Sequence, residues 1–184
     1  MSNKVRYGLS NLHIAFRKAD GTYEIPIKVE GVVGYSPEPA GDSVEFYADN
    51  RLYYSATANN GYTADLECAL IPDEILARMI GSVIDANGGL LELSNGEQAE
   101  FAILAQVDGD VRNRRFVYYS CKASRPKQEH KTTEKTKEPT TETLSVTIAP
   151  TIISGKSAVK YTLELNDTNA EIYNSFFDKV YIAA

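Results

Sequence analysis

FVYYSCKA (Phe116–Ala123), SRPKQEHKTTEKTKEPTTET (Ser124–Thr143) and LSVTIAP (Leu144–Pro150) follow one another without a break. The first and third segments are two of the best strand candidates in the chain, rich in β-branched and aromatic residues. The middle one has no Val, Ile, Leu, Phe, Tyr or Met. Composition alone assigns it to a linker, because it has nothing apolar to bury. Set between two strands, it reads instead as an extended polar arm or a long hairpin over 124–143, ordered by polar pairing on a neighbouring molecule. Arg125, Lys127, Glu129, Lys131, Glu134, Lys135, Lys137 and Glu138 are its candidate contact residues.

The rest of the chain repeats the strand signal. LHIAFRKADGTYEIPIKV reads as a hairpin, with Leu12, Ile14 and Phe16 on one side and Tyr23, Ile25, Ile27 and Val29 alternating on the return strand. GVVGYSPEPAGD is rich in Gly and Pro and reads as a loop. SVEFYAD, LYYSAT, YTADLECAL, LLEL, AEFAILAQV and AVKYTLEL read as further strands, and KVYIA as a short closing one. PDEILARMIG predicts a helix over 73–80, with Asp73 and Glu74 at its positive end, Gly81 as its stop, and Ile75, Leu76, Met79 and Ile80 on one face. TNAE predicts a capping box from Thr168 to Glu171 and a second helix over 169–178, with Ile172, Tyr173, Phe176 and Phe177 inward. The expected fold is mainly β, an antiparallel β-sandwich with two short flanking helices, in a single domain over 1–184 with an N-terminal arm over 1–10.

The chain has 184 residues and a formal net charge of −6. The polar run holds five basic and four acidic residues, which leaves fourteen basic and twenty-one acidic for the body. So acidic a body is a poor grip for nucleic acid, whose affinity comes from Lys and Arg meeting phosphates. No apolar run approaches the roughly 20 residues of a membrane helix, and MSNKVRYGLSN lacks the apolar stretch of a signal peptide. Cys68 and Cys121 lie in apolar strand patterns and read as buried free thiols.

Catalytic chemistry is missing from the pattern. No His, Cys, Asp or Glu cluster has metal-ligand spacing, and no nucleophile elbow or phosphate-cradling Gly loop is present. The expectation is a non-enzyme with no cofactor and no metal. His13 reads as a surface histidine. The DGD at Asp108–Asp110 lacks the later ligands of a calcium loop and reads as a turn. Arg114 and Arg115, just beyond it, are candidates for intersubunit salt bridges. The acids are more informative. Glu45 and Asp49 alternate with Val44, Phe46 and Ala48, and Asp65 and Glu67 with Leu66, Cys68 and Leu70. On one sheet these four carboxylates would crowd a single surface, with Glu164 a weaker fifth.

Taken in order, VRYGLSNLHIAF, ADNRLYYSATANNGYTADLECALIPDEI, GDVRNRRFVYYSCKASRP and TETLSVTIAP resemble the major tail proteins of long-tailed bacteriophages, in particular tail tube subunits of phages of Gram-positive hosts. The resemblance runs from about Lys4 to Tyr181. It implies hexameric rings stacked into a tube, and an intersubunit β-barrel around a lumen through which genome DNA travels without specific binding. It also implies partners such as tape-measure and tube-end proteins, a place in the virion tail, and assembly in the host cytoplasm without a membrane. The same fold serves contractile tails and type VI secretion. Glu45, Asp49, Asp65 and Glu67 are then the expected lumen-lining acids, since carboxylates repel phosphates. The alternative is a virion-associated receptor- or carbohydrate-binding β-sandwich module, with Tyr53, Tyr54 and Tyr62 as an aromatic platform.

Overall fold

A computed structural model describes residues 3–127, 132 and 140–183. Among these residues, fourteen strands and two helices follow in chain order: β1 Arg6–Phe16, β2 Ile27–Lys28, β3 Val32–Pro39, β4 Ser43–Ala48, β5 Arg51–Thr57, β6 Tyr62–Cys68, α1 Asp73–Ile80, β7 Val83–Ile84, β8 Leu90–Leu91, β9 Phe101–Gly109, β10 Arg114–Ala123, β11 Glu142–Ala149, β12 Thr151–Ile153, β13 Lys156–Ala158, β14 Lys160–Glu164 and α2 Ala170–Asn174. The protein is mainly β, with antiparallel pairing and two short helices.

β10 organises the fold because it belongs to two sheet branches. Its first half, Arg114–Tyr118, pairs with β9 on one side and β14 on the other. After a register shift between Tyr118 and Cys121, its second half, Ser120–Ala123, pairs with β11. One branch therefore runs β2-β1-β9-β10-β14, and the other runs β10-β11-β6-β3. Their inward faces share one core: Leu12, Ile14, Phe16, Phe101 and Ile103 from the first, Leu66, Cys68, Leu144, Val146 and Ile148 from the second. α1 adds Ile75, Leu76, Met79 and Ile80 to it, the face expected of that helix.

The two branches differ on their outer faces. In β9, Phe101 through Gln106 are all buried. Phe101, Ile103 and Ala105 face the shared core, while Ala102 and Leu104 face a second core with Ala15, Val117, Tyr119, Ile153, Phe176 and Val180. That second core is closed by the segment that follows α2, through Phe176 and Val180. β6 and β11 instead alternate strictly, with Ala64, Leu66, Cys68 and Leu144, Val146, Ile148 buried and the residues between them facing outward. A strand covered on both sides reads as a continuous apolar run, and one covered on a single side alternates.

α1 stops at Gly81, which adopts φ 74°. A Cβ there would sit 2.6 Å from the Glu97 carbonyl oxygen, so glycine is required both by conformation and by the approach of the 96–97 backbone.

Several expectations change. The Gly- and Pro-rich 31–42 stretch contains an eight-residue strand, β3, rather than only a loop. β3 is the sheet's outer strand, where proline is tolerated. The Ala40 amide donates to the Gly61 carbonyl, so by alternation Pro37 and Pro39 occupy positions whose nitrogens face away from β6. The Tyr23–Val29 return strand shrinks to β2, because Pro26 has no N–H to give, and Ile25 is exposed. LLEL contributes only β8, and KVYIA forms no strand. The second helix ends at Asn174 rather than 178. Its capping box does not form: Thr168 donates to Asn166, and Asn169 occupies the cap position. His13 is not a bare surface residue. It stacks on Phe177 at 4.6 Å, and burial holds its pKa below the usual imidazole value. Cys68 and Cys121 are buried free thiols, as expected.

Candidate assembly surfaces

The outward face of β3, β6 and β11 is built from short polar residues in rows. Ser36, Asp65 and Ser145 lie side by side across the three strands. Glu38, Thr63 and Thr147 form the next row, and Lys122 of β10 continues it. Gly34, Glu67 and Thr143 form the third. The Ser145 hydroxyl donates to Asp65 Oδ1 at 2.9 Å, and the Thr141 hydroxyl to Glu67 Oε1 at 2.6 Å. These bonds hold the carboxylates down on the sheet. The surface thus carries three acids and two bases, Lys122 and, opposite Thr143, Lys127, and its rows hold no large apolar side chain.

The four carboxylates expected on one surface divide into two pairs. Asp65 and Glu67 occupy this face. Glu45 and Asp49 lie on a separate two-stranded ribbon, because among the described residues β4 pairs only with β5. Glu164, on β14, is bound by Arg114 at 2.6 Å in the other branch. Glu38 belongs to the polar face and was missed, because its stretch reads as a loop.

The β4–β5 ribbon is the second surface. Asp49 and Asn50 both have positive φ, 51° and 62°, as a two-residue type I′ turn requires. Val44, Phe46, Tyr47, Leu52, Tyr53 and Tyr54 are all between 49% and 65% exposed. The apolar side of this strand pattern, expected to be buried, meets no core in its own chain. Its neck is tied by bonds from Ala58 N–H to Asp42 and from Asn60 N–H to Ala40. Tyr53 and Tyr54 project here, whereas Tyr62 packs edge-on against Tyr118, so the three tyrosines do not form one platform.

The polar run is anchored at both ends. Arg125 pairs with Glu92 at 2.9 Å and donates to the Leu93 carbonyl, and Lys127 bridges to Thr143 beyond the β10–β11 ladder. Glu129, Lys131, Glu134, Lys135, Lys137 and Glu138 lie outside the described residues.

Arg114 and Arg115 are engaged within their own chain. Arg114 holds Glu164. Arg115 lies 3.9 Å over the Tyr173 ring, donates to Gln106 at 3.0 Å and to the Tyr173 carbonyl, and so fastens α2 to the sheet. The Asp108–Asp110 turn is closed by Asn3, which bonds the backbone of Val111 and Arg112. Among the described residues no group of three or more His, Cys, Asp or Glu is placed to hold a metal ion. No helix there is long and apolar enough to cross a membrane.

The chain thus presents an uncovered ribbon of aromatic residues and a sheet with one dry and one polar face. A family profile described as phage tail tube protein matches residues 39–180. The chain belongs to the phage tail tube protein family. The matched span runs from the end of β3 to the C-terminal segment, and includes the ribbon and the β6 and β11 strands of the polar face, while Gly34, Ser36 and Glu38 of β3 precede it. Among solved structures, the chain is similar to the cap that terminates the tube of the anti-feeding prophage, determined by cryo-EM. The TM-score is 0.52 at 7% identity, over 90% of this chain and 97% of that one, a likeness of fold alone. No curated protein sequence matches.

Proposed function

We propose that this tail tube protein is the repeating subunit of the tube itself. Copies join into hexameric rings, the rings stack, and the β3-β6-β11 faces close into a barrel whose lumen carries genome DNA. The observation that carries this reading is the polar face. A sheet whose inner side is apolar and whose outer side offers hydroxyls and three carboxylates beside Lys122 and Lys127 suits a wall that DNA must pass without adhering. Phosphate binding comes from Lys and Arg, and carboxylates leave none to displace. Repeated around a ring, Glu38, Asp65 and Glu67 make a negative wall whose reach is limited to roughly 8–10 Å by physiological salt. On this reading Asp65 and Glu67 line the lumen, and Glu45 and Asp49 serve the contacts of the ribbon. The polar run over 124–143 lies on a neighbouring subunit. The motif resemblance favours a long, non-contractile tail of a phage with a Gram-positive host. Tape-measure and tube-end proteins would be its partners in the virion tail, after assembly in the host cytoplasm.

Electron microscopy of the purified protein tests the assembly, with rings or tubes around a central hole as the expected result. Asp65→Lys with Glu67→Lys tests the lumen. Tubes of this variant should retain DNA and release it as salt rises, whereas wild-type tubes hold none. Indifference of the variant tubes to DNA would refute the lumen assignment.

A further inference from the structure

The rows of the polar face are ordered by charge. In the row Glu38, Thr63, Thr147 and Lys122, an acid stands at the β3 end and a base at the β10 end, with two hydroxyls between them. The row through Gly34, Glu67 and Thr143 also ends in a base, Lys127, on the β10 side. The acids of the face, Glu38, Asp65 and Glu67, therefore lie on β3 and β6, and its bases lie at the β10 end. Glu38 and Lys122 are exposed, and neither has an ion pair among the described residues. Three strand spacings, about 14 Å, separate their backbones. A face divided in this way is complementary in charge to a second copy set beside it.

The backbone limits how two copies can meet there. Pro37 and Pro39 turn their nitrogens to the open side of β3 and have no N–H to give, so a ladder added along this edge would lack donors. At the other end Ala123 is buried, and Arg125 is tied to Glu92 and to the Leu93 carbonyl, so its own chain covers β10. Neither end is prepared for a full ladder between copies, which leaves the contact to side chains. A two-fold arrangement would set Glu38 against Glu38 or Lys122 against Lys122, and like charges directly opposed are destabilising. Rotation around a ring sets the two different ends against each other.

We propose that at each seam of the ring Glu38 of one copy pairs with Lys122 of the next. The seam is an ion-paired contact of side chains rather than a continued β-ladder. Each row then reads acid, hydroxyl, hydroxyl, base in one direction around the lumen, which gives the ring a head-to-tail sense. The pairing also occupies Lys122, a cation that phosphate would otherwise meet. The inference rests on the barrel reading and names the contact at its seams.

Sedimentation velocity across concentration tests it, with electron microscopy of the products. Glu38→Lys alone and Lys122→Glu alone put like charges at every seam. Each should raise the concentration needed for rings about tenfold or more. Glu38→Lys with Lys122→Glu in one chain should restore assembly. So should an equimolar mixture of the two single variants, because in a six-membered ring they can alternate and every seam then joins opposite charges. If wild type assembles and the single variants assemble at the same concentration, the seam is wrong and the tube reading stands. If the single variants are impaired but neither the reversed pair nor the mixture recovers, the seam is also wrong. If wild type remains monomeric at every concentration, both readings fail.

Discussion

Excision of the ribbon separates assembly from folding. The neck is already closed by the bond from Ala58 N–H to Asp42 at 3.0 Å, so Ser43–Thr57 can be replaced by a two-glycine turn. Nothing buried is removed, and shortening a surface loop changes closure entropy by less than about 1 kcal/mol. Urea unfolding should therefore give a stability within about 1 kcal/mol of wild type. Association is another matter. Phe46, Tyr47, Tyr53 and Tyr54 average about 60% exposure. At roughly 200 Å² per ring they present on the order of 500 Å². Covering that area yields about 12 kcal/mol gross at 25 cal/mol per Å², an upper bound. Association itself costs on the order of 4–15 kcal/mol. The ribbon is thus large enough to decide between monomer and assembly. The excised chain should sediment as a folded monomer at concentrations where wild type forms rings. Rings from the excised chain would refute the reasoning, as would a loss of several kcal/mol in folding stability.

Three further outcomes follow from the cores. Phe176→Ala should cost about 3–5 kcal/mol in urea unfolding, since Phe176 is fully buried in the second core, while the half-buried Ile172→Ala should cost much less. Equal costs would mean that the segment following α2 does not pack as described. Gly81→Ala should lose more than about 2 kcal/mol through backbone strain and the clash with residues 96–97, whereas Gly155→Ala, also at positive φ but in open space, should lose only about 1 kcal/mol. Burial pushes Cys68 up to about 11, and Tyr23 and Tyr118 up to about 12, from ordinary values of 9.0 and 10.0. The folded state holds these protons more tightly than the unfolded one, so their contribution is intact below about pH 9 and is lost as pH rises through 9 to 12. Chemical unfolding at stepped alkaline pH should show that decline, and a stability rising across this range would contradict the burial.

The most legible parts of the fold were those with a single structural cause. α1 could be read from its acidic start, its apolar face and Gly81. β6, β10 and β11 could be read from their apolar patterning. The failures have physical reasons. β3 was hidden because Pro37 and Pro39 read as turn residues, and only their place on the outer edge, a tertiary fact, makes them compatible with a strand. β4 carries the same alternation as β6, yet one buries its apolar side and the other does not. Alternation tells which residues share a side, not whether anything covers it. For the same reason Asp65 and Glu67 could be placed together, while Glu45 and Asp49 could not be separated from them. His13 reads as exposed because alternation in β1 suggests one dry face, and the strand has two.

The unequal covering of the two branches has a consequence for redesign. Every residue of β9 from Phe101 to Ala105 is locked into one core or the other, so most changes there threaten the fold. Across β3, β6 and β11, every second residue touches neither core. Positions 36, 63, 65, 145 and 147 form a palette that can be rewritten in charge, size or reactivity while Leu66, Val146 and their neighbours keep the strands in register. Assembled into a pore, that palette would let conductance and cargo preference be set by substitution on a scaffold whose stability is specified elsewhere.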